Sequence, residues 1–210
     1  NGVAVDDVIP SPVAASMVTL TKVQKMAGCV LANIGSETTS IIVFEENIPL
    51  SVRVFPIGSR DITNDIALGL KISLDEAERI KTGIEDPGGT RKKLDEIIDA
   101  RLSDMFELIE AHLKKLGRNG LLPAGIVISG GGSGIPDIES LAKKALRLPA
   151  RLGSIESAAM VKTPGADPAW AVAYGLTIAG KHNEDEESRG GQVFTNTKDQ
   201  LVKWFRELLP

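Results

Sequence analysis

The stretch from Ile126 to Leu141 reads Ile-Val-Ile-Ser-Gly-Gly-Gly-Ser-Gly-Ile-Pro-Asp-Ile-Glu-Ser-Leu, and it constrains the fold more than any other part of the chain. The run ending at Ile128 is short, apolar and β-branched, as expected of a strand covered on both faces. Gly130, Gly131 and Gly132 then remove three side chains in a row, which permits positive φ or lets another molecule lie on bare backbone. Pro136 suits a first helical position, with Asp137 and Glu139 in an acidic first turn. Strand, glycine turn and helix in that order form the ligand-side geometry of open α/β sheets.

Charge narrows the ligand. A helix start that holds phosphate uses bare N–H groups and a positive dipole end, and here Asp137 and Glu139 are expected to fill that field. The turn therefore suits a neutral flat group, a base or a ribose, better than a phosphate. A Gly-x-Gly-x-x-Gly pattern starting at Gly130 would need glycine at Ile135, and no Gly-Lys-Ser/Thr follows a glycine loop. The alternative is a turn that only lets helix and sheet pack closely.

Composition excludes several classes. With 42% hydrophobic and 25% charged residues over 210 positions, the chain is an ordinary globular one. Its net charge of -4, without a basic stripe, argues against nucleic acid. His112, His182 and the single Cys29 make no metal pattern. No apolar run reaches the roughly 18 residues of a membrane span. A start at Asn1 reads as a fragment or a processed piece.

Along the chain, Val3 to Ile9 predicts a short strand and Val13 to about Met26 one helix. Strands are expected at Cys29 to Ile34, Ser40 to Phe44 and Leu50 to Phe55. The loop between the first two, Asn33 to Ser40, gathers a glycine, two threonine hydroxyls and free N–H groups that can cradle an anion. Ile62, Ile66 and Leu70 mark a helix opened by Gly58 and Ser59, and Ser73-Leu-Asp-Glu76 has capping-box form before a second. Leu94, Ile98, Leu102, Met105, Ile109, Leu113 and Leu116 predict one long amphipathic helix closed by Gly117. A last helix is expected from Asp167 and Pro168 to Gly180.

Lys181 to Asn196, with four acids from Glu184 to Glu187, reads as a flexible linker. Beyond it, Leu201, Val202, Trp204, Phe205, Leu208 and Leu209 fall on one arc of roughly 160°. A helix isolated by a linker has no core to bury that arc, and a membrane interface would do so; docking onto its own domain or a partner is the alternative.

The order of these motifs resembles the second half of the FtsA family of actin-like cell-division proteins. The resemblance rests on Asn33 to Ser40, Ile57 to Ala67, Glu76 to Lys81, Ile128 to Gly132 and the terminal amphipathic helix. It implies an α/β fold, actin-like (ribonuclease H-like), with a smaller inserted helical subdomain. Residues 1–27 would belong to the preceding half, 28–58 and 120–180 to the α/β subdomain, and 59–119 to the helical one over the nucleotide. The linker would be 181–196 and the membrane-targeting helix 197–210. Gly35, Ser36, Glu37, Thr38 and Thr39 would form a phosphate-binding hairpin, Glu78 and Lys81 ribose and adenine contacts, and Gly130, Gly131 and Gly132 the glycines beside adenine. Asn33 stands where the family holds magnesium through water. The implied ligand is ATP with Mg2+, and the implied partners are FtsZ, the lipid surface of the inner membrane and further copies in an oligomer or filament, on the cytoplasmic face of the cell membrane. The family loop usually reads Asp-Ile-Gly-Gly-Gly-Thr-Thr-Asp. Asn33, Ser36, Glu37 and Ser40 depart from it, which implies weakened ATP binding and slow or absent hydrolysis, with no catalytic residue assigned. A PilM-like pilus assembly protein or another actin-like ATPase is the alternative.

Overall fold

A computed structural model describes residues 5, 7–155 and 167–188, the last seven by their backbone alone. The expected terminal helix, with Leu201, Val202, Trp204, Phe205, Leu208 and Leu209, lies outside the described residues, as does the linker beyond Ser188.

Five strands, β1 (Cys29–Ile34), β2 (Thr39–Glu45), β3 (Ile48–Phe55), β4 (Ile126–Ser129) and β5 (Ala150–Leu152), form one sheet in the order β3-β2-β1-β4-β5. The first three make an antiparallel meander, whereas β4 runs parallel to β1 and β5 parallel to β4. β1 at the centre and its neighbours β2 and β4 are almost wholly buried, because both faces are covered. Val30, Ala32, Ile34, Ile41, Val43, Ile126 and Ile128 belong to one buried cluster with α3 (Ser59–Leu70), α4 (Leu74–Lys81), α5 (Arg91–Lys115) and α6 (Ile138–Leu146). Cys29, Leu31, Ile42, Phe44 and Val127 belong to a second, with α1 (Ser11–Thr19) and α7 (Ala171–Ser188). The result is helix, sheet and helix in three layers.

Several boundaries differ from expectation, each for a local reason. β2 and β3 are longer than expected because Glu46 and Asn47, with φ of 53° and 64°, close a two-residue turn of the kind that matches strand twist. The single helix expected over Val13 to Met26 is two, α1 and α2 (Lys22–Ala27): Leu20 is extended and Thr21 caps a new start through a reciprocal bond pattern with Gln24. No strand forms over the described residues before Pro10, where the Asp7 carboxylate accepts from the Val8 N–H at 2.7 Å. The last helix does not stop at Gly180 but continues to Ser188, so the acidic run begins as helix rather than linker. Gly175 lies against the Ala14 backbone of α1, where any β-carbon would collide.

The organising stretch itself needs a correction. Gly131–Gly134 forms a short 3-10 turn, and α6 begins only at Ile138, after Asp137 adopts a left-handed φ of 58° without capping through its side chain. Pro136 and Asp137 thus precede the helix. Glu139 does sit in its first turn, and its carboxylate accepts the Leu152 N–H at 2.6 Å. The acids expected at the helix start therefore serve the chain itself in one case and stand outside the helix in the other.

Candidate functional site

One wall of the site is the hairpin between β1 and β2. Ile34 pairs with Thr39, and the Gly35 N–H donates to the Thr38 carbonyl at 2.8 Å to close the turn. Ser36, Glu37 and Thr38 are exposed, whereas Thr39 is buried and its hydroxyl donates to the Ile57 carbonyl at 2.8 Å. Of the two threonine hydroxyls expected to face an anion, that of Thr39 is committed to the scaffold.

The hairpin is fastened to the start of α3. The Ser59 N–H donates to the Gly35 carbonyl at 2.9 Å and the Arg60 N–H to the Ser36 carbonyl at 2.8 Å. The Gly58 N–H goes to Asp61 Oδ2 at 2.8 Å. A helix start has such donors without an intrahelical partner, and a ligand can take them; here they bind the chain. Gly58 is required for this approach, since a β-carbon there would collide with the Ser36 backbone.

The other wall is α4, where Ser73 accepts the Glu76 N–H at 3.2 Å and starts the helix. Glu78 and Lys81, three residues apart, share a face. Lys81 is only 5% exposed, and its Nζ donates to Glu78 Oε2 at 2.7 Å, Thr63 Oγ1 at 2.8 Å and the Ser59 carbonyl at 3.2 Å. Thr63 in turn donates to Glu78 Oε2. Burial works to raise the Glu78 carboxyl, but hydrogen bonds from Lys81 and Thr63, with the Lys81 charge, outweigh it and hold the group below the usual carboxylate value.

Between the walls lies a groove of about 300 Å³ bordered by Ser36, Ser59, Arg60, Thr63, Glu78 and Lys81 among others. The structure thus brings one expected hairpin residue, Ser36, together with the expected pair Glu78 and Lys81. Arg60 and Thr63 were not singled out from sequence. For Thr63 a signal existed: it is a hydroxyl next to Ile62 in an otherwise apolar stripe.

The glycines sit nearby, at the root of the hairpin. A β-carbon on Gly130, whose φ is 87°, would stand 2.5 Å from the Ile34 carbonyl and 2.6 Å from Asn33 Oδ1, and one on Gly132 would enter the Ile34 side chain. Close packing of strand end against turn accounts for both. Gly131 is exposed and borders open space, so it is the member of the triplet that a ligand could approach.

The donors suit part of the implied ligand. Glu78 offers a half-exposed carboxylate to a ribose and Gly131 bare backbone to a flat base, whereas the buried Thr63 hydroxyl is spent on Glu78 and Lys81. Magnesium fits poorly: Asn33 brings a neutral amide, and among the described residues no three His, Cys, Asp or Glu side chains gather in a group able to hold a metal.

Comparison with known proteins places this architecture. The sequence profile described as "Cell division protein FtsA" matches residues 30–175. The FtsA protein of Borreliella burgdorferi is 32% identical over 97% of this chain and 56% of its own length. Among solved structures, the PilM-PilN type IV pilus biogenesis complex aligns with a TM-score of 0.68 and 23% identity over 83% of this chain and 53% of the matched one. MreB5 of Spiroplasma citri bound to ADP also aligns with a TM-score of 0.68, at 16% identity over 87% of this chain and 62% of the matched one. These likenesses establish the actin-like fold. The chain spans about half the length of the curated relatives it matches. The profile match over residues 30–175 and a relative 32% identical over 97% of the chain show that it belongs to the FtsA family of actin-like cell-division proteins.

Proposed function

We propose that the protein carrying this chain is a membrane-tethered actin-like division scaffold that links FtsZ filaments to the cytoplasmic face of the cell membrane. In this reading it binds ATP weakly and hydrolyses it slowly or not at all. The carrying observation is family membership combined with a groove that joins the hairpin to Glu78 and Lys81. Weak binding is supported by donors already spent within the chain: two α3 N–H groups on hairpin carbonyls, Thr39 on Ile57 and Arg60 on Glu37. The helical part, 59–119, covers the groove, and the scaffold works as an oligomer or filament.

The tether in this reading is the arc of Leu201, Val202, Trp204, Phe205, Leu208 and Leu209. No helix among the described residues is long and apolar enough to cross a membrane. An interfacial helix would hold the protein by burying its apolar face at the headgroup boundary. The test is recruitment of FtsZ filaments to anionic liposomes by the full-length protein, with and without residues 197–210. Recruitment that requires those residues supports the scaffold; recruitment that is unchanged by their deletion contradicts the tether.

A further inference from the structure

Two cations border the groove, and they are held differently. Lys81 is buried and engages three oxygens. Arg60 is 64% exposed, and its Nη1 lies 2.7 Å from Oε1 of Glu37, itself 69% exposed. Arg60 stands in the first turn of α3 and lines the groove beside Ser36, and Glu37, next to Ser36 in the hairpin turn, holds its guanidinium from outside that lining.

An exposed ion pair is weak and screened by salt. A guanidinium, by contrast, offers a planar fork that matches phosphate oxygens two at a time. A cation held at the rim of a groove by a weak internal anion is one that an incoming anion can capture. Lys81 is not available in this way, since three internal acceptors already share it.

We propose that Glu37 and Arg60 form an exchangeable latch, in which a phosphate-bearing ligand displaces the Glu37 carboxylate from Arg60 and takes its place. The proposal rests on the nucleotide reading above. It assigns Arg60 as the residue that senses ligand charge and Glu37 as its internal competitor, while the nucleoside portion is held separately near Glu78. Ligand charge, rather than groove shape, then sets affinity at this end.

The test is calorimetry on the full-length protein with ATP and with adenosine as probes, for wild type, Glu37→Gln, Arg60→Gln and the double variant. Both side chains are exposed, so all four should fold, and thermal melts verify this. Glu37→Gln should raise ATP affinity about tenfold, by freeing a charge-assisted contact and removing a competing charge, with adenosine unchanged. Arg60→Gln should lower ATP affinity more in the Glu37→Gln background than in wild type, because only there is the guanidinium free. Strictly additive effects overturn the latch, as does an equal shift for both probes. If adenosine binds throughout while the ratio of ATP to adenosine affinity stays fixed, the latch fails and the nucleotide reading stands. If neither probe binds any variant, both fail.

Discussion

Lys81 places its ammonium 2.7 Å from the Glu78 carboxylate although it is 5% exposed and its partner 51%. The asymmetry decides which partner is more costly to lose. Glu78→Ala strands a buried charge with only neutral acceptors and should cost about 1–3 kcal/mol. Lys81→Met keeps an apolar stem and leaves a carboxylate that water can reach, so it should cost about 1 kcal/mol or less. Urea unfolding of both variants checks the order. Because the folded Glu78 value is depressed, its stabilisation is present above the ordinary carboxylate pKa and is lost as pH falls through the folded value.

The glycine triplet should divide by position. Gly130→Ala meets the Ile34 carbonyl and strains a left-handed φ, and Gly132→Ala meets the Ile34 side chain. Each should cost about 1–3 kcal/mol. Gly131→Ala meets nothing and should be close to neutral. Thermal denaturation of the three single variants distinguishes this pattern from a uniform effect.

His112 should make the fold sensitive to acid. Its Nε2 lies 2.9 Å from Ser51 Oγ and its ring stands edge-on to Phe55. Burial, then the charges of Arg53 and Lys115, hold its pKa below the ordinary histidine value. A base with a depressed folded pKa takes up its proton more readily in the unfolded chain, so stability falls as pH drops below about 6.5 toward the folded value. Urea midpoints at pH 7.5 and 5.5 should separate more in wild type than in His112→Gln.

Much of this architecture was legible because it is written in short-range chemistry. The buried centre of the sheet follows from apolar runs such as Cys29 to Ile34, and the starts of α3 and α4 from Gly58 and Ser73. What escaped was three-dimensional competition for the same groups. Nothing local to Asp137 signals that it turns left-handed ahead of α6, or that Glu139 is drawn to β5 thirteen residues on. Nor does the hairpin sequence disclose that the Arg60 N–H binds the Ser36 carbonyl while its guanidinium binds Glu37. The glycines were legible as a close approach, but which molecule approaches was not: for Gly130 and Gly132 it is the chain's own Ile34.

The groove as a nucleotide site is tested most directly by ATP titration of the full-length protein, wild type and Glu78→Gln, with and without magnesium. The expected result is measurable binding that Glu78→Gln weakens about tenfold, as for loss of a charged hydrogen-bond acceptor, and that magnesium changes little, since Asn33 supplies no charge. Binding that is indifferent to Glu78→Gln, or no binding at all, would contradict the assignment of this groove to a nucleotide.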